Sequence, residues 1–382
     1  MTIPNKTTLG TDGPRRWHRW ALTTLVAAFS IGLLSIWLVP GNTPEAENRL
    51  PLAWPVFDPS SSIDTTTYRE LDAALRDRLG AQAAVSDAIG DLSVHGLGQS
   101  PTSKVVIGTD RQPFLAEDLV RPCRETTKTM DAVKLGLERD QAAMVDAGKY
   151  VAFIVAPNKS SVHRTVVDAI SPDLLTCSDF VRSEILEWKS EGDLPLITLW
   201  DEVAARDTGS EPAYLWNDTH WSASGSVALS EVLMQRLVSD QQVSAEILRD
   251  FSNPISSAAR PFVGDLNYMM GVKDTDYKST ISFDRPDVVT TAEKTVGPEG
   301  STQDHFTSTS TTSALVPGKT LLLGDSFLVR EMPSQLSNFF SDLTIANVRE
   351  YAQLGDYDRV IVERVERSSG TADWPALRSA LE

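Results

Sequence analysis

Short, continuous apolar runs separated by helical stretches constrain this chain more than any other feature. Tyr150 to Pro157 reads YVAFIVAP, Pro195 to Trp200 reads PLITLW and Lys319 to Gly324 reads KTLLLG. Asp342 to Val348 (DLTIANV) and Asp358 to Val365 (DRVIVERV) follow the same style, as does Lys104 to Gly108 (KVVIG). Strands that are apolar on both faces are what a parallel sheet covered by helices requires. Glu125 to Gly148 and Asp179 to Lys189 read as helices between them. The fold class is therefore α/β, an open, doubly wound parallel sheet with helices on both faces. With 382 residues, 41% of them hydrophobic, the chain can bury a sizeable core in one or two domains.

The amino terminus is of a different kind. Trp20 to Val39 is an uncharged run of about the length that crosses a hydrocarbon core of roughly 30 Å, and Pro40 and Gly41 stop it. Arg15, Arg16 and Arg19 precede the run, and Glu45 and Glu47 follow it. The positive-inside rule puts residues 1–19 in the cytoplasm, makes 20–39 a transmembrane signal-anchor and exports the rest. A cleaved signal peptide competes with this reading, but no small-x-small cleavage site follows Val39. Residues 40–62 read as a linker and 63–382 as the extracytoplasmic domain, opening on an amphipathic helix with Tyr68, Leu71, Leu75 and Leu79 on one face and Asp64 as its cap.

Acidic residues outnumber basic ones by 52 to 35, a net charge of −17, which argues against a nucleic-acid partner. Two cysteines, Cys123 and Cys177, suit one structural disulfide in an oxidising compartment, with two free buried thiols as the alternative. From Lys273 to Pro317 the composition turns to Thr, Ser, Asp and Gly. This stretch reads as a long polar insertion with an edge hairpin around Ser279 to Phe283.

Two segments can carry chemistry. Ser326, in Leu323-Gly324-Asp325-Ser326-Phe327, follows an apolar strand and precedes a helical stretch expected from Pro333 to Phe340, so it belongs at the carboxyl end of a parallel strand. There a serine exposes its hydroxyl and uses its own N–H as an oxyanion donor; the bland alternative is a helix cap. The hydroxyl needs a base, and that base needs a partner. Of the five histidines, His18 lies in the basic arm, His95 among glycines, His163 near a helix start and His305 in the polar insertion. His220, two residues after Asp218, is the best base. In an extended backbone Asp218 and His220 point the same way, although metal sites and surface pairs share the spacing. No further His or Cys lies near His220 in sequence, so no metal is expected.

Asp218-Thr219-His220-Trp221, the following Ser222-Ala223-Ser224-Gly225 and Gly324-Asp325-Ser326-Phe327 together resemble the alginate O-acetyltransferase family of SGNH-hydrolase-like proteins. Supporting marks are Glu47-Asn-Arg-Leu50 with Trp54-Pro55, Val105 to Asp110 with Phe114-Leu115, Ala156-Pro-Asn-Lys159, Gly264-Asp265-Leu266 with Met269-Met270, and Val362 to Arg367. The resemblance runs from about Glu47 to the carboxyl terminus. It implies Ser326 as nucleophile, His220 as general base and Asp218 as its orienter, and the order of Asp and His before Ser matches it. Gln112 stands where that family's early turn has an aromatic. The 56 residues after Ser326 are too few for the carbohydrate-binding domain some members carry.

Asn158 is assigned as the second oxyanion donor, with a turn role as its alternative, and Lys159 is expected in a salt bridge nearby. Tyr214 and Trp216 offer flat faces to sugar rings, while Trp221 belongs in the core. The resemblance implies transfer of an acetyl group onto hydroxyls of a cell-surface or extracellular polysaccharide, with a multispan membrane acyltransferase as acetyl donor. No cofactor is called for, and no nucleotide-binding glycine loop is present. The alternatives are a deacetylating esterase with the same residues and a non-catalytic glycan-binding or assembly protein.

Overall fold

The computed structural model describes residues 65–78, 80–208, 212–252, 254–296, 302–348, 354–371 and 374–381, together with a few helical residues between 22 and 30. Among the described residues no helix is long and apolar enough to cross a membrane. The expected span 20–39 lies mostly outside them, as do the basic arm, the linker and Asp64.

The chain divides into two compact units, residues 1–97 with 270–272, and 98–269 with 273–382. The first contains helices α1 (Thr65–Arg78) and α2 (Gly80–Asp91), closed by a π-helical turn over Leu92–Gly96. Tyr68 is exposed there, off the buried stripe assigned to it.

The second unit carries the α/β fold. Strands β1 (Val105–Ile107) and β2 (Pro113–Leu115) form a small antiparallel sheet of their own, so the run at Lys104 does not join the main sheet as expected. Next come α3 (Thr127–Asp146), capped by Thr126, then β3 (Tyr150–Ala156), α4 (Thr176–Glu191), β4 (Leu196–Thr198) and α5 (Ala223–Ser239). Four short strands follow: β5 (Pro254–Ser256), β6 (Arg260–Phe262), β7 (Asp276–Lys278) and β8 (Ile281–Phe283). The chain closes with β9 (Val289–Val296), β10 (Thr302–Thr309), β11 (Val316–Gly324), α6 (Ser326–Leu336), β12 (Phe340–Asn347) and β13 (Arg359–Val365).

The main sheet has the order β4-β3-β13-β11-β12-β10-β9. Its first five strands are parallel, as the apolar runs imply, but β10 and β9 extend it antiparallel. The sheet is therefore mixed rather than wholly parallel. The region 273–317, expected as a polar insertion, supplies this extension. Its hairpin is β9–β10, whereas Ile281–Phe283 pairs with β5.

Alternation along β3 sorts the core. Ala152, Ile154 and Ala156 face one layer with Leu229 and Leu233 of α5 and Met332 of α6. Val151, Phe153 and Val155 face the other with Met130 and Leu137 of α3 and Val181 and Ile185 of α4. Helices thus cover both faces, and the carboxyl ends of β3, β13 and β11 emerge side by side. A disulfide joins Cys123 to Cys177, tying the start of α4 to the segment before α3.

Candidate active site

The site begins with a tight turn. An isolated bridge between Tyr214 and Trp221 closes it, and Ser222 N–H donates to Ala213 C=O at 2.8 Å. Asp218 and His220 meet in this turn, not in the extended backbone that alternation assumes. His220 N–H donates to Asp218 Oδ1 at 2.8 Å, an Asx-type contact that folds the carboxylate back onto the residue two ahead. The same oxygen lies 2.5 Å from His220 Nδ1. Burial works to raise the Asp218 carboxyl, but the hydrogen bonds from the His220 ring and backbone outweigh it and hold it at about 2. An ionised carboxylate only accepts, so Nδ1 carries the proton and Nε2 is the free acceptor.

Nε2 lies 2.8 Å from Ser326 Oγ, 106 residues along the chain. Ser326 is the first residue of α6, so its helix begins earlier than the stretch expected at Pro333, which sits inside it. At that position its N–H has no intrahelical acceptor. The capping role falls to Asp325, whose Oδ1 accepts from Phe327 N–H at 3.0 Å and whose Oδ2 accepts from Val365 N–H at 3.1 Å. Gly324 is required beside it, because a Cβ there would stand 2.5 Å from Leu328 Cβ and 2.6 Å from Glu363 Oε2. Trp221, fully buried as expected, pins the turn to the helix by donating from Nε1 to Phe327 C=O at 3.0 Å.

Asp265 is a participant that the sequence flagged only as part of a family mark. Its N–H donates to Asp218 Oδ2 at 3.1 Å, and its carboxylate accepts from Thr219 N–H and Oγ–H at 2.8 and 2.6 Å. Gly264 permits this approach, since a Cβ there would fall 1.9 Å from Asn217 O. Ligand atoms of Asp218, His220 and Asp265 lie within 4.8 Å of one another, a spacing that could hold a metal. The oxygens of Asp218 and Asp265 are, however, already engaged by N–H and O–H donors of the protein.

Lys159 is not in the expected salt bridge. Its ammonium, 1% exposed, donates to the carbonyls of Pro113, Leu215, Trp216 and Asp218 at 2.5 to 3.2 Å, and burial lowers it to about 7. Asn158, at the carboxyl end of β3, is separated from Ser326 by one intervening strand, roughly 10 Å between backbones. Its Nδ2 is buried without a partner. Tyr214 is 1% exposed and donates its hydroxyl to Pro157 C=O, so it packs rather than presenting the open sugar face assigned to it. Trp216 is 44% exposed and keeps one.

A family model described as an SGNH hydrolase-like domain, acetyltransferase AlgX, matches residues 105–356. Three solved structures are similar. The O-acetyltransferase domain of Pseudomonas putida AlgJ has 14% identity, covering 70% of this chain and 92% of that one, with a TM-score of 0.46. Bacillus cereus PatB1 has 12% identity, covering 65% and 93%, with a TM-score of 0.49. Pseudomonas aeruginosa AlgX has 13% identity, covering 74% and 69%, with a TM-score of 0.45. No curated protein matches by sequence. Because the family match spans well over half of the residues and contains Asp218, His220 and Ser326, the chain belongs to the AlgX family of SGNH hydrolase-like acetyltransferase domains.

Proposed function

We propose that the chain is an O-acetyltransferase that moves an acetyl group through Ser326 onto hydroxyls of an extracytoplasmic polysaccharide. The observation that carries the reading is His220 bridging Ser326 Oγ and Asp218 Oδ1 at 2.8 and 2.5 Å. Ser326 Oγ attacks the acetyl carbonyl while its proton passes to His220 Nε2, and the imidazolium gains support from ionised Asp218. Collapse breaks the bond to the donor's leaving group, which takes the proton from Nε2. A sugar hydroxyl then attacks the acetyl-serine, giving its proton to Nε2, and the ester leaves as Ser326 Oγ recovers that proton.

Ser326 N–H, at the start of α6, is one donor to the oxyanion, and the unpartnered Nδ2 of Asn158 is the second. The polysaccharide acceptor, a multispan membrane acyltransferase as donor and an amino-terminal anchor complete the reading, supported by family membership and by the apolar run at Trp20 to Val39.

A fluorophosphonate probe labels Ser326 in the parent and not in Ser326→Ala, and acetyl ester on the surface glycan falls in that variant. A rise in ester would make the protein an esterase, and an unchanged level together with no labelling would end both enzymatic readings.

A further inference from the structure

Beside the Tyr214–Trp221 turn lies a cavity of about 550 Å³. Asp110, Asp207 and Asp276 line it, and no lysine or arginine does among the described residues. Residues 209–211, next to Asp207 in sequence, are Gly-Ser-Glu and bring no positive charge. The carboxylates are held in place by backbone donors: Gln112 N–H on Asp110 at 3.0 Å, Ala213 N–H on Asp207 at 2.9 Å, and Trp216 and Tyr277 N–H on Asp276 at 2.9 and 2.8 Å. The Lys159 ammonium lies behind this wall, donating to the carbonyls of Leu215 and Trp216, and because burial lowers it to about 7 it carries only part of a positive charge near neutral pH. Burial lowers His163, so it adds no charge near neutral pH.

Two polar groups in the lining lack partners. His163 Nε2 is buried without a hydrogen bond. Gln112 is 2% exposed, yet its side-chain amide makes no hydrogen bond among the described residues. A buried polar nitrogen is ordinarily satisfied, so the unpartnered His163 Nε2 sets this wall for a hydrogen bond that the protein itself does not supply. Trp216 and Tyr277, 44% and 65% exposed, add flat faces to it.

We propose that this cavity, which none of Ser326, His220 and Asp218 lines, holds part of the acceptor glycan away from the reacting hydroxyl and takes an uncharged, hydroxyl-rich chain, its three carboxylates rejecting chains that carry uronate groups. The word acceptor rests on the function proposed above; the selectivity rests on the cavity. Sugar hydroxyls donate to fixed carboxylates and satisfy His163 Nε2 and the Gln112 amide, while the aromatic faces cover apolar ring faces. An anionic sugar makes the same contacts against three like charges with no lysine or arginine in the lining to offset them. At roughly 8 Å in a water-like dielectric, three such repulsions combine to a discrimination on the order of tenfold.

The test separates binding from chemistry by using the full chain carrying Ser326→Ala, titrated by tryptophan fluorescence. The probes are hexagalacturonate, its methyl ester, maltohexaose and mannohexaose. At least one neutral oligomer saturates, and the ester binds on the order of tenfold more tightly than the free acid. That gap closes in Asp110→Asn/Asp207→Asn, in which the oxygens accepting backbone N–H remain. It also narrows in the Ser326→Ala chain at about 0.5 M salt, a readout that survives if the added substitutions prevent folding. The proposal is overturned if the acid binds as well as its ester, if no neutral oligomer binds, or if the gap ignores charge removal and salt. Intact selectivity with an unlabelled Ser326 in the parent protein would instead remove the transferase reading alone.

Discussion

The two ends of the central sheet differ in how completely their polar groups are satisfied. At the amino end, Tyr150, Arg236, Asp240 and Arg359 surround the larger hollow, about 800 Å³. Every charged group around it has a partner: Asp240 accepts from Tyr150 Oη–H and Arg236 Nε–H at 2.8 and 2.6 Å, Arg359 donates to Gln242 and Pro317, Lys149 to two carbonyls, and Asp358 accepts from Lys319 N–H. The carboxyl end holds a smaller cavity, yet Asn158 Nδ2, His163 Nε2 and Glu363 Oε1 are buried there without partners, and Asp218 and Lys159 sit far from their ordinary pKa values. Volume alone would point to the wrong end. Apart from the Thr320 hydroxyl level with Arg359 at the amino end, the unsatisfied groups named here point to the strand ends where open α/β sheets hold their ligands.

The largest expected effect is at that carboxyl end. Ser326→Ala lowers acetyl transfer by about 10³-fold or more while leaving the melting temperature near that of the parent, because the hydroxyl is half-buried and serves no cap. A residual activity within tenfold of the parent would show that the two ends differ in structure only. Asp218→Asn comes next. It keeps the shape of the turn but removes the acceptor that fixes the tautomer, and a loss of about 10²-fold or more in kcat is expected. Its stability profile shifts with it. The folded carboxyl lies at about 2, below an ordinary value near 4, so its stabilising contribution is present above pH 4 and is lost as pH falls towards 2. Acid denaturation of the parent should show that loss, and Asp218→Asn should lack it.

How much of this the sequence displays depends on whether a residue acts through its side chain. The runs at Tyr150, Lys319, Asp342 and Asp358 announce their strands because both faces of each are covered, so consecutive central positions are apolar. β9, at the edge, and β10 beside it are built of Thr, Ser and charged residues with little apolar content, so they read as a loop although Thr favours strands. Ser326 and His220 are legible because nucleophile and base are rare chemistry in recognisable settings. Asp265 reaches Asp218 through its backbone N–H, and Lys159 finds its acceptors in carbonyls of two other segments, which no side-chain pattern encodes. Tyr214 misleads in the opposite direction, because an aromatic next to a site looks the same whether its face is open or packed.

Lys159→Met has an intermediate effect. It leaves the carbonyls of Pro113, Leu215, Trp216 and Asp218 without their donor, and a loss of about 3 kcal/mol is expected together with a fall in kcat, since the Asp218 turn loosens. The sign of its pH dependence is distinctive. Folded Lys159 lies near 7 and the unfolded side chain near 10.5, so the folded state holds fewer protons between those values and stability grows as pH rises across that window. Denaturant titrations at pH 7 and pH 10 check this, and an identical rise in Lys159→Met would assign it to other groups.

The smallest effect is expected at the amino end, from Tyr150→Phe. The substitution removes the hydroxyl that donates to Asp240 at 2.8 Å, while Arg236 still donates to the same carboxylate, so no charge is stranded. A single neutral donor lost to a charge that keeps another partner should lower stability by about 1 kcal/mol. Transfer activity should be unchanged, because Tyr150 and the Asn158 end of β3 are separated by the whole rigid strand, packed on both faces. A denaturation midpoint and a kcat measured on one preparation decide it. A change in kcat of more than about threefold would mean that the larger hollow takes part in the reaction, and that satisfied polar groups are no sign of a purely structural role.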